Sequence, residues 1–320
     1  MSQASKNPGN RNPGNGDQAA EAAGADLKPL EEAGKSEDLG TFLEAGLHVL
    51  ATPIGNARDI SLRGLEALKG AAVICAEDTR VTAKLLAIHG ISRPLLAYND
   101  HNAASMRPRI LARLAAGQAV VLVSDAGTPL VSDPGYKLVR EALAAGLPVH
   151  AVPGPSAVLA GLTLSGLPSD RFLFAGFLPS RAGERATALG DVAAIPATLI
   201  FFESAQRLAE SLAAMADVLG DRPCAVAREL TKRHEEVRRG LLSELAARYA
   251  ASGPPKGEVT IVVGPPLESG PDFARIDAAL EAALPFMPVK AAAEMIAALT
   301  GASKKQVYNR ALEMKDDAKS

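Results

Sequence analysis

The chain has 320 residues, more than one hydrophobic core usually organises, so two domains with an appended module are expected. Hydrophobic residues make up 48% and charged residues 22%, which excludes a wholly disordered or fibrous chain, and no apolar run approaches the roughly 20 residues of a membrane-spanning helix. The formal net charge of −2 excludes a globally basic nucleic-acid coat but permits a local basic patch.

Residues 1–45 read as a disordered tail. They carry the duplicated tetrapeptide Asn7-Pro8-Gly9-Asn10 and Asn12-Pro13-Gly14-Asn15 and too few large apolar side chains to offset their ordering entropy. The stretch Met1 to Asp17 has no apolar core, so no secretory signal is expected. Cys75 and Cys224 lie far apart and in no metal-ligand spacing. Both read as small buried hydrophobes of a reducing cytoplasm, and no disulfide, no metal and no membrane partner is expected.

From Leu47 the pattern changes. Short apolar runs at Leu47–Ala51, Ala71–Ala76, Pro94–Tyr98, Ala119–Ser124 and Val149–Val152 predict strands. Helical spacing over Ser61–Lys69, Thr79–His89, Ala104–Ala116 and Tyr136–Ala145 separates them. Nearly continuous apolar strands alternating with helices predict a parallel sheet covered on both faces, an N-terminal α/β domain over 46–160. A second α/β domain with a mixed sheet is predicted over 161–268, with strands at Phe172–Phe177, Ala197–Phe202, Cys224–Arg228 and Glu258–Val263. Helices near Ala205–Leu219 and Leu241–Ala251 lie between them. A Gly/Pro-rich break then leads to a small helical C-terminal module, 272–320, in which Thr300-Gly301-Ala302-Ser303 separates two helices. That geometry suits either nucleic-acid binding or plain helical packing.

Ligands of open parallel sheets bind beyond the carboxyl ends of the strands. Here those ends read Thr52-Pro53-Ile54-Gly55-Asn56, Glu77-Asp78-Thr79-Arg80, Tyr98-Asn99-Asp100-His101, Ser124-Asp125-Ala126-Gly127-Thr128-Pro129 and Pro153-Gly154-Pro155-Ser156-Ala157. Such a row of polar and glycine-rich turns describes a crevice. Neither G-x-x-x-x-G-K-[ST] nor G-x-G-x-x-G occurs where a phosphate cradle would need it. A ligand without phosphates, met by backbone groups and a few carboxylates, fits better, and S-adenosylmethionine is such a molecule. Asp125 and Asp133 also suit plain turn-forming and helix-capping work.

Together with Ser132-Asp133-Pro134-Gly135, Phe177-Leu178-Pro179, Phe202-Glu203-Ser204, Ala227-Arg228-Glu229-Leu230-Thr231-Lys232 and Lys256-Gly257-Glu258, these segments resemble the tetrapyrrole-methylase superfamily over about residues 46–315. The Ser-Asp-Ala-Gly-Thr-Pro form is that of its rRNA-methylating subgroup; the wider family often has Gly-Asp-Pro there. The resemblance implies two α/β domains with S-adenosylmethionine between them, usually in a homodimer. Carried over by position, the donor-binding residues are Pro53, Asp125, Gly127, Thr128, Ser156 and Ala157. The implied reaction is 2′-O-methylation of a decoding-centre cytidine of 16S rRNA, with the assembled 30S subunit as partner.

A ribose hydroxyl is a weak acid, so a group that takes or relays its proton is expected among Glu77, Asp78, Asp100, His101, Lys232 and Glu235. Glu77, Asp78, Arg80 and Asp100 are the catalytic candidates. Arg80, Arg228, Lys232 and Arg233 are candidates for holding phosphates. Residues 222–239 carry six Lys or Arg against three acids, which reads equally as a solvated face. Lys304 and Lys305 open the last predicted helix as further RNA-binding candidates. Two alternatives stay open: a tetrapyrrole C-methyltransferase, whose polycarboxylate substrate would suit the same basic loop, and a catalytically silent binding protein.

Overall fold

The computed structural model describes residues 43–266 and 273–317. Almost all of the predicted tail lies outside these residues. Five strands, β1 (Gly46–Leu50), β2 (Val73–Ala76), β3 (Leu95–Ala97), β4 (Ala119–Val123) and β5 (Val149–Val152), form one parallel sheet in the order β3-β2-β4-β1-β5. Every residue of β2 and β4 is buried, which explains their unbroken apolar sequences. Helices α1 (Leu62–Gly70), α2 (Thr79–Ile88), α3 (Ala103–Ala115) and α4 (Tyr136–Ala144) connect the strands. One apolar cluster joins Leu50, Ile74 and Val121 to Leu68 and Leu86, and a second joins Val73, Val120 and Leu122 to Ile110 and Leu138. The sheet is thus covered on both faces. Helices α1 and α2 start at polar caps: Ser61 accepts from the Gly64 N–H at 3.0 Å, and Asp78 from the Arg80 N–H at 2.8 Å.

Helix α5 (Ala157–Ser165) leads into a second sheet of β6 (Phe172–Phe177), β7 (Thr198–Ser204), β8 (Pro223–Arg228), β9 (Glu236–Leu241) and β10 (Glu258–Val263). Its order is β6-β7-β10-β8-β9; β6 and β7 run parallel and the remaining pairs antiparallel. Helices α6 (Ala182–Ala193), α7 (Leu208–Leu219) and α8 (Leu242–Ser252) accompany it, and Leu212, Met215 and Leu245 share a cluster with Phe201, Val226 and Ile261. In another cluster, Val158 and Leu162 of α5 pack with Ile200, Ala225 and Val262. A Cβ on Gly161 would stand 2.9 Å from Thr260 Cγ2, so a glycine lets α5 approach β10 closely.

Helices α9 (Phe273–Ala283), α10 (Val289–Thr300) and α11 (Lys304–Asp317) form a small bundle with its own core of Ile276, Leu280, Ile296 and Val307. Both nitrogens of a two-pronged Arg310–Asp277 pair lie 2.7 Å from the carboxylate and lock α11 to α9.

Three elements depart from the expected pattern. Helix α5 is apolar on its exposed side too, where Leu159 meets solvent, as well as on the buried side of Val158 and Leu162, so no amphipathic period marks it. Helix α6 is rich in alanine and glycine. Strand β9, Glu-Val-Arg-Arg-Gly-Leu, is a partly exposed edge strand, and pairing with β8 draws much of the basic 222–239 stretch into a hairpin.

Candidate functional site

The turns after β1, β4 and β5 are knitted together by backbone hydrogen bonds. The Thr52 N–H donates to Gly127 O at 2.8 Å, and the Gly127 N–H returns a bond to Thr52 O at 3.0 Å. The buried Thr52 hydroxyl adds a bond to Ser124 O at 3.1 Å. Gly127 sits at φ +81°, a left-handed conformation that favours glycine. The Thr128 hydroxyl reaches Pro155 O at 3.3 Å, joining the turn that precedes α5. Leu130 and Ser132 also hold positive φ, at 74° and 65°, in the loop after β4. Strained backbone of this kind persists only where its surroundings enforce it, and it clusters at functional sites.

Above these turns lies a cavity of about 510 Å³, the size of a small-ligand pocket. The first sheet contributes Ile54, Glu77, Asp125, Gly127, Thr128 and Asp133, and the start of α5 contributes Ser156 and Ala157. The second sheet supplies Phe177, Phe202, Glu203, Leu230 and the Gly257–Thr260 segment. Ligand contacts would therefore come from both sheets.

Three carboxyls in this wall are held above their ordinary range. Burial is the main cause for Glu77, with the charges of Asp133 and Asp125 adding to it. Burial also leads for Asp125, although the Asp78 N–H opposes it by donating to Asp125 Oδ1 at 3.0 Å. For Asp133 burial leads as well, a bond from the Ser124 hydroxyl opposes, and the charges of Asp125 and Asp100 reinforce the rise. No lysine or arginine lines the cavity among the described residues. Crowded carboxylates without a cation make a wall suited to a positively charged ligand. Glu203 differs: its buried carboxylate is matched from behind by Arg207 at 2.6 Å, the Ser211 hydroxyl at 2.6 Å and the Ser204 N–H at 2.7 Å.

The remaining candidates fall in distinct places. Pro53 is half-buried beside the lining residue Ile54. Asp78 caps α2 and pairs with Arg80 at 2.6 Å, and the Arg80 hydrogen bonds hold its carboxyl at about 2. Arg80 is 85% exposed and turned to solvent apart from that pair. Asp100 and His101 are exposed and outside the lining. In the second domain Lys232 Nζ bonds Glu229 at 2.9 Å and Glu258 at 2.7 Å. Burial lowers the Lys232 pKa, but those two carboxylates outweigh it and hold the ammonium above its usual range. The Lys232 stem also fills the space beside Gly55, where an added Cβ would come within 2.3 Å of Cγ. Nearby, Glu235 accepts the Thr231 N–H at 2.7 Å, and the Thr231 hydroxyl accepts the Asn56 N–H at 3.1 Å. Arg228 bonds Glu236 at 3.3 Å and Lys256 O at 3.0 Å. Arg233 is exposed and makes no ion pair among the described residues. Lys304 and Lys305 are exposed and border a shallow depression shared with Lys290 and Tyr308.

Sequence reasoning placed the first-sheet wall but assigned no role to Phe177, Phe202, Leu230 or Val259–Thr260. The motifs holding the two phenylalanines and Leu230 were visible; that a second sheet brings them over the first required the fold.

Residues 46–246 match the family described as Tetrapyrrole (Corrin/Porphyrin) Methylases, and residues 270–315 match the RsmI C-terminal HTH domain. The chain is 52% identical to a protein of Mesorhizobium japonicum named Ribosomal RNA small subunit methyltransferase I, covering 88% of this chain and 97% of that one. A protein of the same name from Erythrobacter litoralis is also 52% identical, covering 85% and 96%. Among solved structures, a diphthine synthase superposes with a TM-score of 0.54 at 20% identity, covering 68% of this chain and 89% of that one, a likeness of fold.

Proposed function

The chain belongs to the tetrapyrrole methylase family and, within it, to the ribosomal RNA small subunit methyltransferases I, and from that premise we propose that it methylates the ribose 2′-hydroxyl of a decoding-centre cytidine in 16S rRNA. The methyl donor is S-adenosylmethionine. The observation that carries the reading is the cavity, with its cluster of carboxylates unmatched by any lining cation among the described residues.

The residues present fit that donor. When bound, it supplies a methyl group on a positively charged sulfur. Asp125 and its acidic neighbours suit the donor's cationic groups. Helix α5 has no side-chain cap, so its leading N–H groups, at Ser156 and Ala157, remain for a carboxylate. Ile54, Leu230 and Val259 offer apolar surface. Pro53, Gly127 and Thr128 shape the floor on which those groups stand.

Transfer is an in-line displacement, so holding donor and hydroxyl in line supplies much of the acceleration. Of the carboxylate candidates Glu77 and Asp78, Glu77 has the better place and the greater basicity. It lines the cavity, and its raised pKa makes it a stronger base than Asp78, which is held at about 2. Lys232 stays protonated between its two carboxylates and serves as a clamp of the second-domain loop. Arg233, Lys304 and Lys305 are free of ion pairs among the described residues and suit RNA phosphates. Arg228 and Arg80 would have to leave a carboxylate to do the same. Family membership supports a cytoplasmic homodimer acting on assembled 30S subunits.

Incubating the protein with labelled donor and 30S subunits, naked 16S rRNA or a tetrapyrrole precursor tests the reading. Label on a ribose 2′-oxygen of 16S rRNA is the expected result, strongest with 30S subunits. Label on the tetrapyrrole alone would overturn it.

A further inference from the structure

We propose that Phe177 is the platform on which the base of the acceptor nucleotide stacks, an inference that rests on the RNA methyl-transfer reading above. Three observations converge on this side chain. It lines the cavity and is 57% exposed, so its ring is open to a ligand. Its position is also built by a departure from regular strand geometry. Phe174 pairs with Ile200 and Phe177 with Phe202, so β6 spends three residues where β7 spends two. Gly176, at φ +70°, lies within that irregularity. In a regular strand Phe174 and Phe177 would point to opposite faces; the extra residue returns Phe177 to the face of Phe174. Both rings then meet Phe202 edge-on, with centroids 4.8 Å and 5.6 Å away.

The result is a graded row of aromatic rings. Phe174 and Phe202 are the half-buried members, and they fix Phe177 from one side. The exposed remainder of the Phe177 ring meets solvent at the cavity wall. A ribose hydroxyl can enter a cleft and face a donor only if its nucleotide is drawn out of its stack, and proteins hold such bases chiefly on aromatic side chains. The carboxylates that suit the donor lie on the first sheet, while Phe177 comes from the second. The donor's cationic groups and the acceptor base are thereby given opposite walls.

The test compares Phe177→Ala and Phe177→Trp with the parent protein, following methylation of 30S subunits and, separately, donor binding by calorimetry. Loss of a base–aromatic stack should raise KM for the subunits about ten-fold or more in Phe177→Ala, leaving donor affinity and melting temperature unchanged. Phe177→Trp, which keeps a stacking face, should restore KM to near the parent value. Parent-like KM in Phe177→Ala would overturn the inference while leaving the function intact. Equal loss in both variants, or loss of donor affinity in Phe177→Ala, would also overturn it by assigning the ring to packing or to the donor. If the parent itself methylates no RNA, the underlying functional reading fails instead.

Discussion

Asp125 Oδ1 accepts the backbone N–H of Asp78 at 3.0 Å, so a carboxylate after β4 steadies the first residue before α2 while its charge stays in the cavity. Structural and ligand-binding roles therefore meet in one side chain, and substitution can separate them. Asp125→Asn keeps an oxygen for the Asp78 N–H but removes the charge. It should weaken donor binding by about 1.5–3 kcal/mol, the worth of a charge-assisted bond, with little change in melting temperature. Asp125→Ala should lose both. Calorimetry and thermal denaturation of the two variants check this; an unchanged donor Kd in Asp125→Asn would move the cation site elsewhere.

The acidic wall also predicts a pH dependence with a definite sign. Glu77, Asp125 and Asp133 have folded-state pKa values above their ordinary ones, so across that interval the folded chain binds more protons than the unfolded chain. Stability of the donor-free protein should therefore fall as pH rises through the raised values. Donor affinity should change the opposite way, weakening as pH falls and the carboxylates lose their charge. Asp133→Asn removes one like charge and should move the midpoint of that weakening to lower pH. Titration calorimetry across pH 4–7 reads this out, and a midpoint shifted upward would contradict it.

Lys232 is predicted to act as a clamp and not as a proton acceptor. Lys232→Arg should keep most turnover, because a guanidinium can still face Glu229 and Glu258. Lys232→Met should lower the melting temperature and turnover together, leaving two carboxylates facing each other. Abolished turnover in a stable Lys232→Arg protein would instead give the amine a chemical role.

Close packing of α5 on β10 can be tested at Gly161. Alanine is the better helix former by about 1 kcal/mol, yet its Cβ would stand 2.9 Å from the Thr260 methyl, with Val262 behind at 3.6 Å. Overpacking should win, for a net loss of about 1–3 kcal/mol in denaturant unfolding. Thr260→Ser removes the opposing methyl, so the double variant should recover much of that loss; strict additivity would refute the contact.

The C-terminal bundle should contribute RNA affinity alone. Replacing Lys304 and Lys305 with alanine should weaken RNA binding and flatten the slope of log affinity against log salt by roughly one to two units. Donor affinity should not change. An unaltered salt slope would leave these lysines a solubilising role.

The parts that sequence revealed and concealed differ for physical reasons. β2 and β4 were legible because burial on both faces leaves an unbroken apolar run, and α4 because one face stays polar. Helix α5 was not, since its exposed side carries Leu159 where a polar residue would mark the period. In the cavity wall, Asp125 and Gly127 stood out through turn chemistry that local sequence must encode. Phe177 did not, because its placement depends on a register shift against β7, a pairing visible only once both strands are in one sheet. The partners of the basic residues were hidden for a similar reason. Arg228 and Lys232 look available in a basic run, but strand pairing sets Glu236 opposite Arg228, and the loop after β8 and the start of β10 bring Glu229 and Glu258 to Lys232.

The order β6-β7-β10-β8-β9 has a consequence for biogenesis. The central strand of the second sheet is the last one made, and on the ribosome β7 and β8 must wait for residues 258–263 before they share a sheet. Val259 and Thr260, which line the cavity, arrive in that same strand. The nascent chain accordingly holds two half-sheets with their inner edges unpaired, a vulnerable interval for a growing polypeptide. Chains released before β10 should lack a complete second wall of the cavity and should be captured by chaperones or proteases, so donor-binding competence marks a completed second sheet.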